Sequence, residues 1–76
     1  MASLPKLPEI RWQDRHGQPL TCHEKLKVLS ENVSELQDMA QDVLEEALIL
    51  GVDERQIRDY MSDVLRELEN PYDETP

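Results

Sequence analysis

The strongest constraint on the fold is a run of apolar residues spaced alternately three and four positions apart. We call these eight residues the apolar seam: Leu26, Leu29, Val33, Leu36, Ala40, Val43, Ala47 and Leu50. An unbroken repeat of this kind has the 3.5-residue period of helices that pack side by side. Thr21 and Glu24 form a capping-box sequence just before it. The pattern predicts a helix over residues 22–50, about 43 Å long at 1.5 Å per residue.

Signals for the end of one helix and the start of another follow within three residues. Gly51 is suited to the left-handed position after a helix, and Val52 is placed to complete a Schellman motif. Asp53 and Gln56 form a second capping-box sequence. We therefore predict a second helix over residues 53–69, joined to the first by a turn at 51–52 in a tight αα-hairpin. Its apolar residues share one face: Ile57, Tyr60, Met61, Val64, Leu65 and Leu68.

The segments that flank the hairpin are predicted to be non-helical. Residues 1–20 are interpreted as an extended N-terminal arm or hook, residues 21–70 as the helical hairpin, and residues 71–76 as a flexible acidic tail. Within the arm, Asp14 and Gly17 occupy the first and last positions of a predicted β-turn. The predicted fold class is all-α, with a long first helix and a shorter second one.

A chain of 76 residues is a single small domain that buries only about 60% of the surface its unfolded form exposes. The second predicted helix has about half the length of the first, so it can cover only part of the apolar seam. We expect a second copy to cover the rest, giving a homodimeric four-helix bundle. The predicted interface consists of Leu26, Leu29, Val33, Leu36 and Ala40. The alternative cover is the N-terminal hook, through Ile10 and Trp12.

A short antiparallel hairpin that dimerises through such a seam resembles the Rop-type bundle in architecture. Rop-like proteins bind RNA through basic faces, whereas the exposed face of the first helix is acidic. The resemblance therefore implies a fold plan and no function.

The net charge of the chain is −9, and the acidity belongs to the helices. Residues 1–25 carry a net charge of +1, and residues 26–50 and 51–76 carry −5 each. Nucleic acids and anionic membranes attract clustered Lys and Arg, so this balance argues against both as direct partners. The alternative function, a nucleic-acid-binding bundle, requires one basic patch from four residues of the N-terminal region: Lys6, Arg11, Arg15 and Lys25.

Five acids form a stripe on the side of the first helix opposite the apolar seam. This acidic stripe consists of Glu31, Glu35, Asp38, Asp42 and Glu45. None of them has a Lys or Arg three or four residues C-terminal to it, and like charges at this spacing destabilise a helix. Taken as a matter of structure alone, the stripe is a solvated face that keeps the protein soluble. The functional hypothesis is a docking surface for a basic protein partner, and a weak site for divalent ions is a further alternative.

The sequence signals for metal binding, catalysis and membrane insertion are weak. His16, Cys22 and His23 include zinc-ligand residue types but lack the paired spacing of a zinc site. Catalysis by Cys22 would need a base facing it, and adjacent residues on a helix do not face each other. The longest apolar run, residues 47–50, is far too short for a membrane span. We predict a cytoplasmic, non-catalytic interaction protein without metal or cofactor: an adaptor, regulator or small subunit.

Overall fold

The computed structural model describes residues 10–72, and within them the regular structure is entirely helical. Helix α1 runs over His23–Leu50 and helix α2 over Glu54–Arg66. The all-α prediction with two helices is confirmed. The chain divides into two compact units, Met1–Leu36 and Gln37–Pro76, and α1 contributes to both. Most of the first half of the predicted arm and the last four residues of the predicted tail lie outside the described residues.

The start of α1 is set by Cys22. The backbone carbonyl of Cys22 accepts the hydrogen bond from the Leu26 N–H, at 3.0 Å, which makes Cys22 the N-cap residue. The helix therefore begins one residue later than predicted. The predicted capping box is wrong: Thr21 lies just outside the N-cap, and no hydrogen bond joins it to Glu24 in the part of the chain that the structure describes.

The end of α1 is a Schellman motif, as predicted. The Val52 N–H donates to the Ala47 carbonyl at 2.9 Å, and the Gly51 N–H donates to the Leu48 carbonyl at 3.0 Å. These two bonds satisfy carbonyls that the helix end would otherwise leave without partners. Gly51 has φ +92°, a backbone conformation that residues with a Cβ adopt only at a cost.

Three residues separate the end of α1 from the start of α2, and the N-cap of α2 is Asp53, as predicted. The Asp53 side chain accepts a hydrogen bond from the Gln56 N–H at 3.0 Å, so Asp53 is the N-cap. Val52 and Ile57, which flank the cap at the positions of a hydrophobic staple, are both half-buried. One turn into the helix, Arg58 donates to Glu54 at 2.9 Å and forms an ion pair with it.

The end of α2 comes three residues before the predicted boundary. The helix stops at Arg66, with Glu67 as the C-cap. Two acids, Glu67 and Glu69, lie at this end, where the helix dipole disfavours negative charge. The residue before Pro71 is also biased away from helical geometry. Asp63 and Arg66, three positions apart near this end, form no ion pair in the described part of the chain.

The segment before α1 folds back on itself in a small hook. The Gly17 N–H donates to the Asp14 carbonyl at 3.0 Å, which confirms the predicted turn, and Gly17 has φ +82°. The Asp14 side chain accepts bonds from the backbone N–H groups of His16 and Gln18. A single antiparallel bridge pairs Gln13 with Pro19. The hook is held by local hydrogen bonds, because each of these bonds joins residues no more than six positions apart.

Burial is shallow in both units. In the first unit the half-buried residues among those described are Trp12, Leu26 and Val33. In the second unit Ala47 is buried, with 7% of its surface exposed. The other half-buried residues of this unit come from both helices and from the turn between them: Gln37, Ala40, Gln41, Leu44, Val52, Ile57 and Met61. The core of the second unit is therefore one face of α1 against the first turns of α2.

Replacing Gly51 with Val tests the left-handed cap that joins the helices. No atom lies within 4 Å of the position a Cβ would take, so the substitution costs backbone strain and not a clash. We expect the free energy of unfolding to fall by about 1–3 kcal/mol, measured by urea denaturation at fixed protein concentration.

The matched control is Gly51→Asn, because Asn tolerates positive φ better than other residues with a side chain. It should lose clearly less stability than the Val variant. Equal stability of native protein and Gly51→Val would contradict the role assigned to this cap.

Candidate protein-interaction surface

The apolar seam on α1 separates into two rows that differ in exposure. The covered row, whose members are half-buried or buried, consists of Leu26, Val33, Ala40 and Ala47. The uncovered row, whose members are all exposed, consists of Leu29, Leu36, Val43 and Leu50. Each row repeats every seven residues, and the rows lie side by side along the helix. The chain by itself therefore covers one side of its seam and leaves the other side open to solvent.

Exposure in the uncovered row is substantial. Leu29 retains 39% of its surface, Leu36 47% and Val43 39%. Full burial of a large aliphatic side chain is worth about 1.5–3 kcal/mol, so these side chains have realised only part of that stabilisation. Aligned aliphatic groups of this kind are a surface to which another apolar face can bind.

The residues of the predicted dimer interface divide between the two rows. Leu29 and Leu36 are exposed, whereas Leu26, Val33 and Ala40 are half-buried within the chain. The hook was the alternative cover for this region. Its Trp12 is half-buried but its Ile10 is exposed, so the two proposed covering residues differ in burial.

Met39 belongs to the same exposed surface, although it lies outside the seam and the sequence analysis did not single it out. It is 68% exposed and lies three residues after Leu36 and four before Val43, so the three share one side of α1. The same three–four spacing that defined the seam could have identified it. Three further apolar side chains are exposed on α2, Tyr60, Val64 and Leu65, and Leu68 is exposed just beyond its end.

The acidic stripe is fully on the surface, since all five of its residues are exposed. A side-chain hydrogen bond joins Gln41 to Glu45, where the amide nitrogen donates to the carboxylate at 2.9 Å. No Lys or Arg forms a salt bridge with a stripe carboxylate within the described residues. The stripe differs in this respect from Glu54 on α2, which is paired with Arg58.

The residues considered for other chemistry are also exposed. Cys22 is a free, exposed thiol, and His16 and His23 are exposed. Within residues 10–72, no three His, Cys, Asp or Glu side chains are grouped so as to hold a metal ion. Of the four bases in the alternative nucleic-acid patch, three are exposed and Lys6 lies outside the described residues. Neither described helix is sufficiently long and apolar to cross a membrane.

Comparisons with protein-family models, with curated proteins and with solved structures find no match to this chain. A function must therefore be argued from the two surfaces of α1 themselves.

Neutralising the three central residues of the acidic stripe tests whether their carboxylates stabilise the fold. In the variant Glu35→Gln, Asp38→Asn, Asp42→Asn, we expect the free energy of unfolding to stay equal or to rise by about 0.2–0.5 kcal/mol for each like-charge contact removed. Thermal denaturation followed by circular dichroism measures this. A clear loss of stability would show that these carboxylates stabilise the fold.

Proposed function

We propose that this protein is a non-catalytic interaction module that acts as a homodimer and binds a basic protein partner. In this arrangement the two hairpins associate through the apolar seam into a four-helix bundle, with an interface that includes Leu26, Leu29, Val33, Leu36 and Ala40. The acidic stripe, on the opposite side of α1, faces outward and binds the partner.

One observation carries the proposal: the uncovered row of α1 is exposed while the covered row beside it is not. The only buried residue among those described is Ala47, whose side chain is a single methyl group. Small scaffolds without disulfides or a structural metal commonly gain stability by association. A second copy buries the uncovered row without any further chemistry.

The acidic stripe supports the second half of the proposal. None of its five exposed carboxylates is in a salt bridge within the described residues, and their potentials add along the helix. Charge on an exposed surface contributes chiefly to the rate and selectivity of association. A partner with a row of Lys or Arg complements it.

The homodimer is tested by substituting Leu36, which is exposed and central in the predicted interface. Sedimentation equilibrium of the native protein at micromolar concentration should give a mass near twice the 8.9 kDa of one chain. In Leu36→Glu a charge must be desolvated for the interface to form, so the dissociation constant should rise by roughly a hundredfold or more.

The matched control is Ile49→Glu. Ile49 is 84% exposed and lies on the side of α1 away from the apolar seam, so this variant should remain a dimer. A native species near 8.9 kDa, or equal dissociation by both variants, would contradict the proposed interface.

The docking role of the stripe is tested by binding. The variant Glu35→Gln, Asp38→Asn, Asp42→Asn should retain basic partner proteins less well than the native chain in pull-downs washed at increasing salt. The native complex should itself weaken with salt, because exposed charges are screened within about 8 Å at physiological ionic strength.

The control variant also removes three negative charges, two on α2 and one at its C-cap: Asp59→Asn, Asp63→Asn and Glu67→Gln. All three side chains are exposed, and the variant has the same net charge as the stripe variant. Equal retention by the two variants would show that total charge, and not the stripe, governs binding.

A further inference from the structure

A second three–four repeat runs along the exposed side of α1. Between the members of the uncovered row lies a neighbouring row made up of Lys25, Asn32, Met39 and Glu46, all of them exposed. Together the two rows form an alternating pattern at residues 25, 29, 32, 36, 39, 43, 46 and 50, the spacing of a helix-packing seam. Three successive positions in its middle are apolar: Leu36, Met39 and Val43.

The two charged residues of this neighbouring row have opposite signs and lie at opposite ends of α1. A base, Lys25, lies near the start of α1, and an acid, Glu46, lies near its end. The rest of the helix has the same asymmetry: residues 23–36 carry three acids and two bases, a net of −1, whereas residues 37–50 carry four acids and no base, a net of −4. Over the whole chain, residues 37–76 account for the full net charge of −9.

We infer that a second copy of this chain binds this face with its α1 antiparallel to the first, and with the twofold axis near Leu36. The inference rests on the proposed homodimer and specifies its orientation and the face through which it forms. The occupant follows from charge complementarity along the exposed rows.

In a parallel pair, equivalent positions of the two rows face each other. Lys25 would then meet the partner's Lys25, Glu46 would meet the partner's Glu46, and the two acidic halves of α1 would lie side by side. Like charges in direct contact oppose association.

In an antiparallel pair with its twofold axis near Leu36, residues whose numbers add up to about 71–72 lie opposite each other. Lys25 then lies at the same level as Glu46 of the partner subunit, and the acidic half of each α1 meets the nearly neutral half of the other. Leu36 meets the partner's Leu36 at the centre and Leu29 meets the partner's Val43, so exposed apolar groups bury one another. Both the charge pattern and the apolar pattern are therefore satisfied by one orientation.

The orientation can be measured on the native sequence, because Cys22 is an exposed cysteine at the start of α1 and the only one in the chain. A nitroxide attached there reports the distance between the two copies by pulsed electron paramagnetic resonance. The antiparallel pair predicts about 40–45 Å, from twice the axial separation of Cys22 and the twofold axis at 1.5 Å per residue. A parallel pair predicts less than about 20 Å, since packed helices lie 8–10 Å apart.

The second measurement is the affinity of the dimer after the charges at Lys25 and Glu46 are reversed. Lys25→Glu and Glu46→Lys should each weaken the dimer by roughly five- to thirtyfold, because each variant puts like charges together at both ends of the interface. The double variant, Lys25→Glu with Glu46→Lys, should recover most of the native affinity. An acid near the start of a helix and a base near its end favour the helix itself, so weaker dimers here cannot be attributed to loss of helix stability.

Each outcome decides a separate question. A distance near 40–45 Å together with recovery in the double variant supports the antiparallel pair. A distance below about 20 Å, or single variants that bind as tightly as native protein, overturns the orientation but leaves the homodimer standing. A species near 8.9 kDa without any distance between labels overturns the homodimer and this inference together.

Discussion

The apolar face of α1 extends over far more residues than the helix that follows it, and much else in this chain depends on that difference. Helix α1 has 28 residues and α2 has 13, lengths of about 42 and 20 Å. A short helix can offer apolar contacts to only part of a long one. The burial pattern reflects this limit, because Ala47 alone among the described residues is buried and several large aliphatic side chains remain exposed.

Helix α1 thus has three longitudinal surfaces with different physical properties. The covered row is the side that contributes to the core, the uncovered row is an apolar surface that remains partly exposed, and the acidic stripe is an exposed face of negative charge. Apolar burial supplies most of the free energy of association but little direction. Charge supplies orientation and selectivity. Helix α1 carries an exposed apolar row on one side and the acidic stripe on another. In the function that we propose, the first surface serves self-association and the second binds a partner.

The features that could be predicted from the sequence are those made by a few neighbouring residues. The positive φ of Gly51, the Asp53 N-cap and the turn at Asp14 each depend on hydrogen bonds within about five positions, so a short sequence signature is sufficient. Helix ends that depend on competing local forces were less predictable. The acids near Pro71 shorten α2 to Arg66, and Cys22 takes the N-cap position that the sequence pattern assigned to Thr21.

The sequence by itself determined that α1 is one long helix with an apolar seam on one side and acids on the other, because periodicity alone places side chains around a helix. It also located Leu29 and Leu36 as interface candidates. Only the tertiary structure decided which row of the seam is covered, because both rows are apolar and have the same seven-residue repeat. What distinguishes Ala40 and Ala47 from Val43 and Leu50 is the position of the neighbouring segments. That position also leaves Met39 exposed beside Leu36.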